Sequence, residues 1–131
     1  MPVEPVVVES AEREWEGWPA ELIDERGRVR WKTLLSADRT PSETFTLGIA
    51  SFAPGDGLHE HRHAQAEVYL VLDGTGEVAL EGDLHRVAAG AAVFIPGNAR
   101  HGIRNTGSTE LRLAYVLAAD AFADVEYVFG P

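Results

Sequence analysis

The chain has 131 residues, with 21 acidic against 11 basic side chains and a formal net charge of −10. That balance argues against a nucleic-acid partner, because phosphate contacts need clustered Lys and Arg, and the absence of cysteine excludes disulfides and thiolate metal sites. No apolar run approaches the roughly 18 residues of a membrane span, and the start Met1-Pro-Val-Glu-Pro5 lacks the basic residues of a secretory signal, so a cytoplasmic protein is expected.

Residues 1–28 are less regular than the rest and are expected to form an N-terminal arm. Within it Val6-Val-Val8 could be a short edge strand, and residues 10–15 one helical turn with Ser10 as its cap. Trp15, Trp18 and Pro19 make a small aromatic cluster. The arm is expected to pack across the outside of the main body or a partner subunit; the alternative is that one tryptophan overhangs a pocket.

Residues 29–131 read as a single β-rich domain with period-two patterning. Strands are predicted at 30–35, 44–52, 68–72, 76–80, 84–87, 92–95, 102–105, 111–117 and 125–129. Glycine and proline punctuate the gaps, as at Pro54-Gly55, Asp73-Gly74, Pro96-Gly97 and Gly107. Glu77 to Val87 reads as a hairpin closed by Gly82-Asp83. Only residues 119–123 look briefly helical. Short, regularly spaced strands imply a sandwich or barrel.

The chemistry concentrates where the third predicted strand begins. His61, His63, Glu67 and Tyr69 all carry odd numbers, so on an unbroken strand they face one way. Two imidazoles and a carboxylate on one face can coordinate a divalent metal, and His101, 34 positions after Glu67, offers a fourth donor. Fe, Mn, Co, Ni, Zn and Cu all suit this donor set, which does not choose among them. Tyr69 could serve as a general base beside the cation, or could be a strand residue whose hydroxyl finds a partner; spacing alone leaves these level. His59 shares the parity of His61 and reads as a surface residue, with a glance toward the pocket mouth as the alternative. His85, beside a hairpin turn, reads as exposed, and Glu60 and Arg62 as outward-facing.

Gly55, five residues, His61-Arg-His63, three residues, Glu67, six residues and Gly74 resemble the first motif of the cupins. Gly90, five residues, Pro96, then His101, three residues and Asn105 resemble the second. One position departs: Asn98 stands where that family usually has glycine, and asparagine tolerates the positive φ such a turn needs. The resemblance implies an all-β double-stranded β-helix, the cupin jelly-roll barrel, and often a homodimer.

A closer resemblance is to short cupins that cleave dimethylsulfoniopropionate. It runs through Val29-Arg-Trp-Lys32, Leu47-Gly48, Ala53-Pro-Gly55, His61 to Tyr69, Gly97-Asn-Ala99 with His101, and Val125-Glu-Tyr127. It implies one divalent metal on His61, His63, Glu67 and His101, with Tyr69 as the proton-abstracting base. Tyr127 would contact substrate, and an aromatic face from Tyr127 or Trp31 would suit a sulfonium. Core packing is the competing reading for Trp31, and Lys32 is expected to point outward. The expected reaction is β-elimination to dimethyl sulfide and acrylate. An Fe(II) dioxygenase or an isomerase of another small molecule would use the same ligands, and a non-catalytic cupin that holds a small ligand or metal is the third class.

Overall fold

The computed structural model describes residues 2–131. Eleven strands form two antiparallel sheets. In one sheet β1 (Glu16–Gly17), β2 (Arg30–Leu35), β3 (Thr46–Phe52), β10 (Leu111–Leu117), β5 (Glu67–Asp73) and β8 (Ala92–Ile95) lie side by side in that order. In the other the order is β11 (Val128–Phe129), β4 (Gly57–Arg62), β9 (His101–Asn105), β6 (Thr75–Leu80) and β7 (Asp83–Ala88). From β3 onward the chain alternates between sheets except at the β6–β7 hairpin, a jelly roll in which the two inner faces share one core. The helical content is slight: α1 (Ile23–Arg26) and three short 3₁₀ turns. No helix among the described residues is long and apolar enough to cross a membrane.

Alternation decides what faces inward. Along β10, Leu111, Leu113, Tyr115 and Leu117 are buried while the residues between them are half-buried. The register stacks Thr33, Gly48, Tyr115, Tyr69 and Val93 as successive partners across five strands, so they form one inner row. Gly48 is needed in that row. A Cβ there would run into the Tyr115 ring and the Lys32 carbonyl, so the missing side chain is what lets Tyr115 lie flat on the sheet.

Most predicted strands are present with ends moved by a residue or two. Five local readings need correction. Val6 to Val8 form no strand, and Ser10 begins a 3₁₀ turn (Ser10–Glu12) without making a side-chain cap. The β6–β7 hairpin turns on Glu81-Gly82, both at positive φ (48° and 88°), with Leu80 paired to Asp83; this is the geometry that matches strand twist in two-residue loops. Strand β11 is only two residues long, and the late helical turn lies at Phe122–Asp124. Two strands lie outside the predicted set: the two-residue β1, and β4, whose Gly57-Leu-His-Glu-His-Arg62 has little of the branched or aromatic content that marks a strand.

The arm divides its tryptophans between two faces. Trp15 lies outside, with the cations of Arg30, Lys32 and Arg112 at 4.2, 4.9 and 5.7 Å from its ring. Lys32 points outward as expected, with Nζ donating to the Ser10 carbonyl at 3.0 Å. Trp18 turns inward and packs on Trp31, ring centroids 4.8 Å apart.

Candidate functional site

His61 is the next-to-last residue of β4, and His101 opens β9 as its direct partner across the ladder. Strand β4 carries a bulge between Leu58 and His61. An extra residue in a bulge resets which side chains face inward. Leu58 and His61 therefore both turn to the interior, while His59 is exposed and sets Nδ1 2.9 Å from the Glu25 carbonyl. His59 is thus removed from the pocket by the bulge, despite its parity.

Between Arg62 and Glu67 the chain leaves β4 and enters β5 in the opposite sheet. The strand is not continuous, so shared parity along one strand is not what gathers His61, His63, Glu67 and Tyr69. They gather because the two strands face each other across the barrel. His63 sits on the connecting loop, held by the Pro96-Gly97-Asn98 turn: the Asn98 N–H donates to the His63 carbonyl at 2.7 Å. Asn98 does take positive φ, 65°. Gly97 lies against the Ala64 carbonyl with no room for a side chain. Asn105 ties the rest of the second motif down, donating to the carbonyls of Phe52 and Thr109 at 2.9 and 2.8 Å.

His61, His63 and His101 are all buried and each brings one ring nitrogen within 4.8 Å of the others. Every Nδ1 lies 2.8–2.9 Å from a backbone carbonyl, those of His59, Gln65 and Ala99 respectively. A carbonyl can only accept, so Nδ1 carries the hydrogen and Nε2 presents a lone pair inward. The His61 Nε2 is buried with no protein partner. The Nε2 atoms of His63 and His101 stand 3.1 and 3.2 Å from Glu67 Oε1. Lone pairs facing a carboxylate at that distance repel unless positive charge lies among them. Two donors at right angles, each about 2.1 Å from one ion, are about 3.0 Å apart. The donor set therefore fits a divalent metal, which the three imidazoles could hold.

The electrostatics agree with that fit. Burial, with repulsion from His101, drives the His61 imidazole down to about 3, so it stays a neutral donor. Burial alone would raise the Glu67 carboxyl, but positive charge at the His101 and His63 ring nitrogens beside it reverses this and holds it below the usual carboxylate range. Burial, reinforced by the Glu67 charge, pushes the Tyr69 and Tyr127 phenols well above their usual range.

A narrow cavity of about 40 Å³ adjoins these side chains. Glu67, Tyr69, Tyr127 and Trp31 line it, so all the expected substrate-side residues reach one space. Trp31 is also core: it stacks on Phe122 at 5.8 Å with rings 6° from parallel. Sequence reading missed two aromatic wall residues. Tyr115, whose buried hydroxyl has no partner, was detectable from the odd-numbered alternation of β10. Phe122 sits in an irregular segment that carries no periodic signal. Trp18 also lines the cavity, which is the alternative reading of the arm rather than the favoured one.

The family model described as cupin domain matches residues 48–117. The dimethylsulfoniopropionate lyase DddW of Ruegeria pomeroyi is 44% identical over 103 residues, covering 79% of this chain and 67% of that protein. Protein SchB of Streptomyces halstedii is 33% identical over 87 residues, 66% of this chain and 63% of its own length. Among solved structures, a protein of Thermotoga maritima described as a predicted oxalate decarboxylase superposes with a TM-score of 0.75 at 27% identity, covering 87% of this chain and 99% of that one.

Proposed function

The chain belongs to the cupin domain family, and from that premise we propose that it is a metal-dependent lyase, with His61, His63, Glu67 and His101 as ligands and Tyr69 as base. The proposed substrate is dimethylsulfoniopropionate, β-eliminated to dimethyl sulfide and acrylate; the 44% identity to a protein of that name supports the choice. The observation that carries the reading is the shared cavity: Tyr69 opens onto the same space as Glu67, which in turn touches His63 and His101.

A divalent cation, when bound, would supply the positive charge that stabilises electron density at the carbon beside the substrate carboxylate and favours loss of the Tyr69 proton. The chain's residues do the rest. The backbone carbonyls on each Nδ1 fix the three rings. Tyr69, once its own proton has left, takes the α-proton on its phenolate oxygen, the electron pair left behind forms the new C=C bond, and the C–S bond breaks to release dimethyl sulfide. Tyr127 and Trp31 offer ring faces to the sulfonium, each worth about 0.5–2 kcal/mol. The narrow cavity excludes bulk water from the reacting carbon. The same reading includes a homodimer, supported by the exposed apolar outer face of β5 and β8.

The test is dimethyl sulfide in the headspace above dimethylsulfoniopropionate and protein loaded in turn with Fe(II), Mn(II), Ni(II) and Zn(II). Release that depends on metal and falls by at least about 10²-fold in Tyr69→Phe is expected. Undiminished release by that variant would remove Tyr69 from the mechanism.

A further inference from the structure

The cavity beside the imidazoles holds about 40 Å³. At about 10–15 Å³ per ordered water that is room for about three waters, whereas sites for organic ligands start near about 300 Å³. The chamber is too small for an organic ligand, so part of its wall has to move before one is held there.

Most of that wall is fixed. Trp31, Ala50, Phe52, Tyr69, Leu113 and Tyr115 belong to β2, β3, β5 and β10, each flanked by strands on both sides. Trp18 differs. It comes from the arm, which pairs with the barrel only through Glu16 and Gly17, opposite Trp31 and Arg30. Its other anchors are side-chain contacts, among them the His59 ring on the Glu25 carbonyl at 2.9 Å. The Glu16 carboxylate receives both terminal nitrogens of Arg39, at 2.8 and 2.9 Å, and the Thr33 hydroxyl at 3.0 Å. At its far end Gly27 takes φ of 94° and presses on the Gly57 carbonyl, too close for any side chain.

Trp18 is also the outermost layer of an aromatic stack. Its ring stands edge-on to Tyr127 at 5.5 Å and Phe129 at 6.3 Å, and the Arg26 guanidinium lies 4.6 Å from its centroid. Tyr127 and Phe129 in turn pack on His61 at 5.1 and 5.0 Å. The C-terminal segment therefore cannot lift until Trp18 does. The seam is imperfectly satisfied as well: Trp18 Nε1 and Arg26 Nε are buried without a hydrogen-bond partner. Both regain water when the seam opens.

We propose that Trp18 is the removable wall of the cavity, carried on residues 16–28 as a gate that pivots at Gly27 and is latched by the Glu16 carboxylate on Arg39 and Thr33. Small, sparsely bonded segments open at lower free energy than the ladders they cover, and this one covers the chamber that Glu67 and Tyr69 line. The gate rests on the proposed lyase site only for what passes it.

Amide hydrogen exchange by mass spectrometry reads the gate with neither metal nor substrate present, so failure of the lyase reaction and failure of the gate are separate results. Amides of residues 16–28 are expected to exchange well ahead of β3 and β10. Glu16→Gln should speed them by about fivefold, the scale of one partly exposed ion pair, with β3 and β10 unchanged. Trp18→Ala should speed them further and Trp18→Phe restore most of the protection; Glu16→Gln, a surface change, carries the test if Trp18→Ala fails to fold. The proposal is overturned if residues 16–28 exchange only together with β3 and β10, if Glu16→Gln leaves their rate unmoved, or if residues 122–130 open before them.

Discussion

At the scale of single residues the site is a set of lone pairs held in place by main chain. His61 is the most exacting, because its Nε2 is buried with nothing in the protein to receive it. His61→Ala should strip metal from the isolated protein, with a loss of affinity beyond the roughly 10–100-fold that removal of a supporting partner costs; elemental analysis against the wild type reads it. The same imidazole makes the metal-free chain acid-sensitive. Its folded value of about 3 lies below the ordinary one of 6.5, so the folded state binds fewer protons than the unfolded one. The stability it contributes is complete above about 6.5 and is lost as pH falls toward 3. Urea unfolding of the metal-free protein should show about 2 kcal/mol more loss between pH 7 and pH 5 than His61→Gln shows. An equal loss in both proteins would mean that His61 is protonated in the fold. The identity of these residues was readable from type and spacing alone. What spacing could not supply was the reason they meet, since the parity argument requires one strand where the protein uses two.

At the scale of elements, irregularities do the positioning. The β4 bulge turns His61 inward and His59 outward, and a bulge leaves no mark in a pattern of alternate residues when the bulged segment, His59-Glu60, is polar. The regular strands were legible because β10 and β8 alternate cleanly; β4 was not, because histidine, glutamate and arginine do not announce a strand. The Pro96-Gly97-Asn98 turn was legible in function if not in contact: it holds His63 by its carbonyl. Asn98→Gly should leave the melting temperature within experimental error or raise it, whereas Asn98→Val, forced to φ of 65°, should cost about 1–2 kcal/mol. Gly97→Ala should cost more than Asn98→Val and weaken metal binding too, since the added carbon meets the Ala64 carbonyl next to His63. Calorimetry with and without metal separates the two effects.

At the scale of the molecule, charge and apolar surface are unevenly shared. A chain of net charge −10 leaves Val68, Leu70, Leu72 and Phe94 exposed on the outer face of β5 and β8, with Val68 directly opposite Phe94. Sedimentation velocity should find twice the chain mass, and Leu70→Glu with Phe94→Glu should return the monomer without loss of folded signal; a wild-type monomer at micromolar concentration would end the dimer reading. The two-sheet origin of the site has a further result. On the proposed ligand set, His61 and His101 come from one sheet and Glu67 from the other. Coordination would then act as a rivet through both walls of the barrel, added to a fold that already closes without it. A chelator would do more than silence chemistry: it would loosen the architecture, and the supply of metal would help set how long each copy of the protein survives.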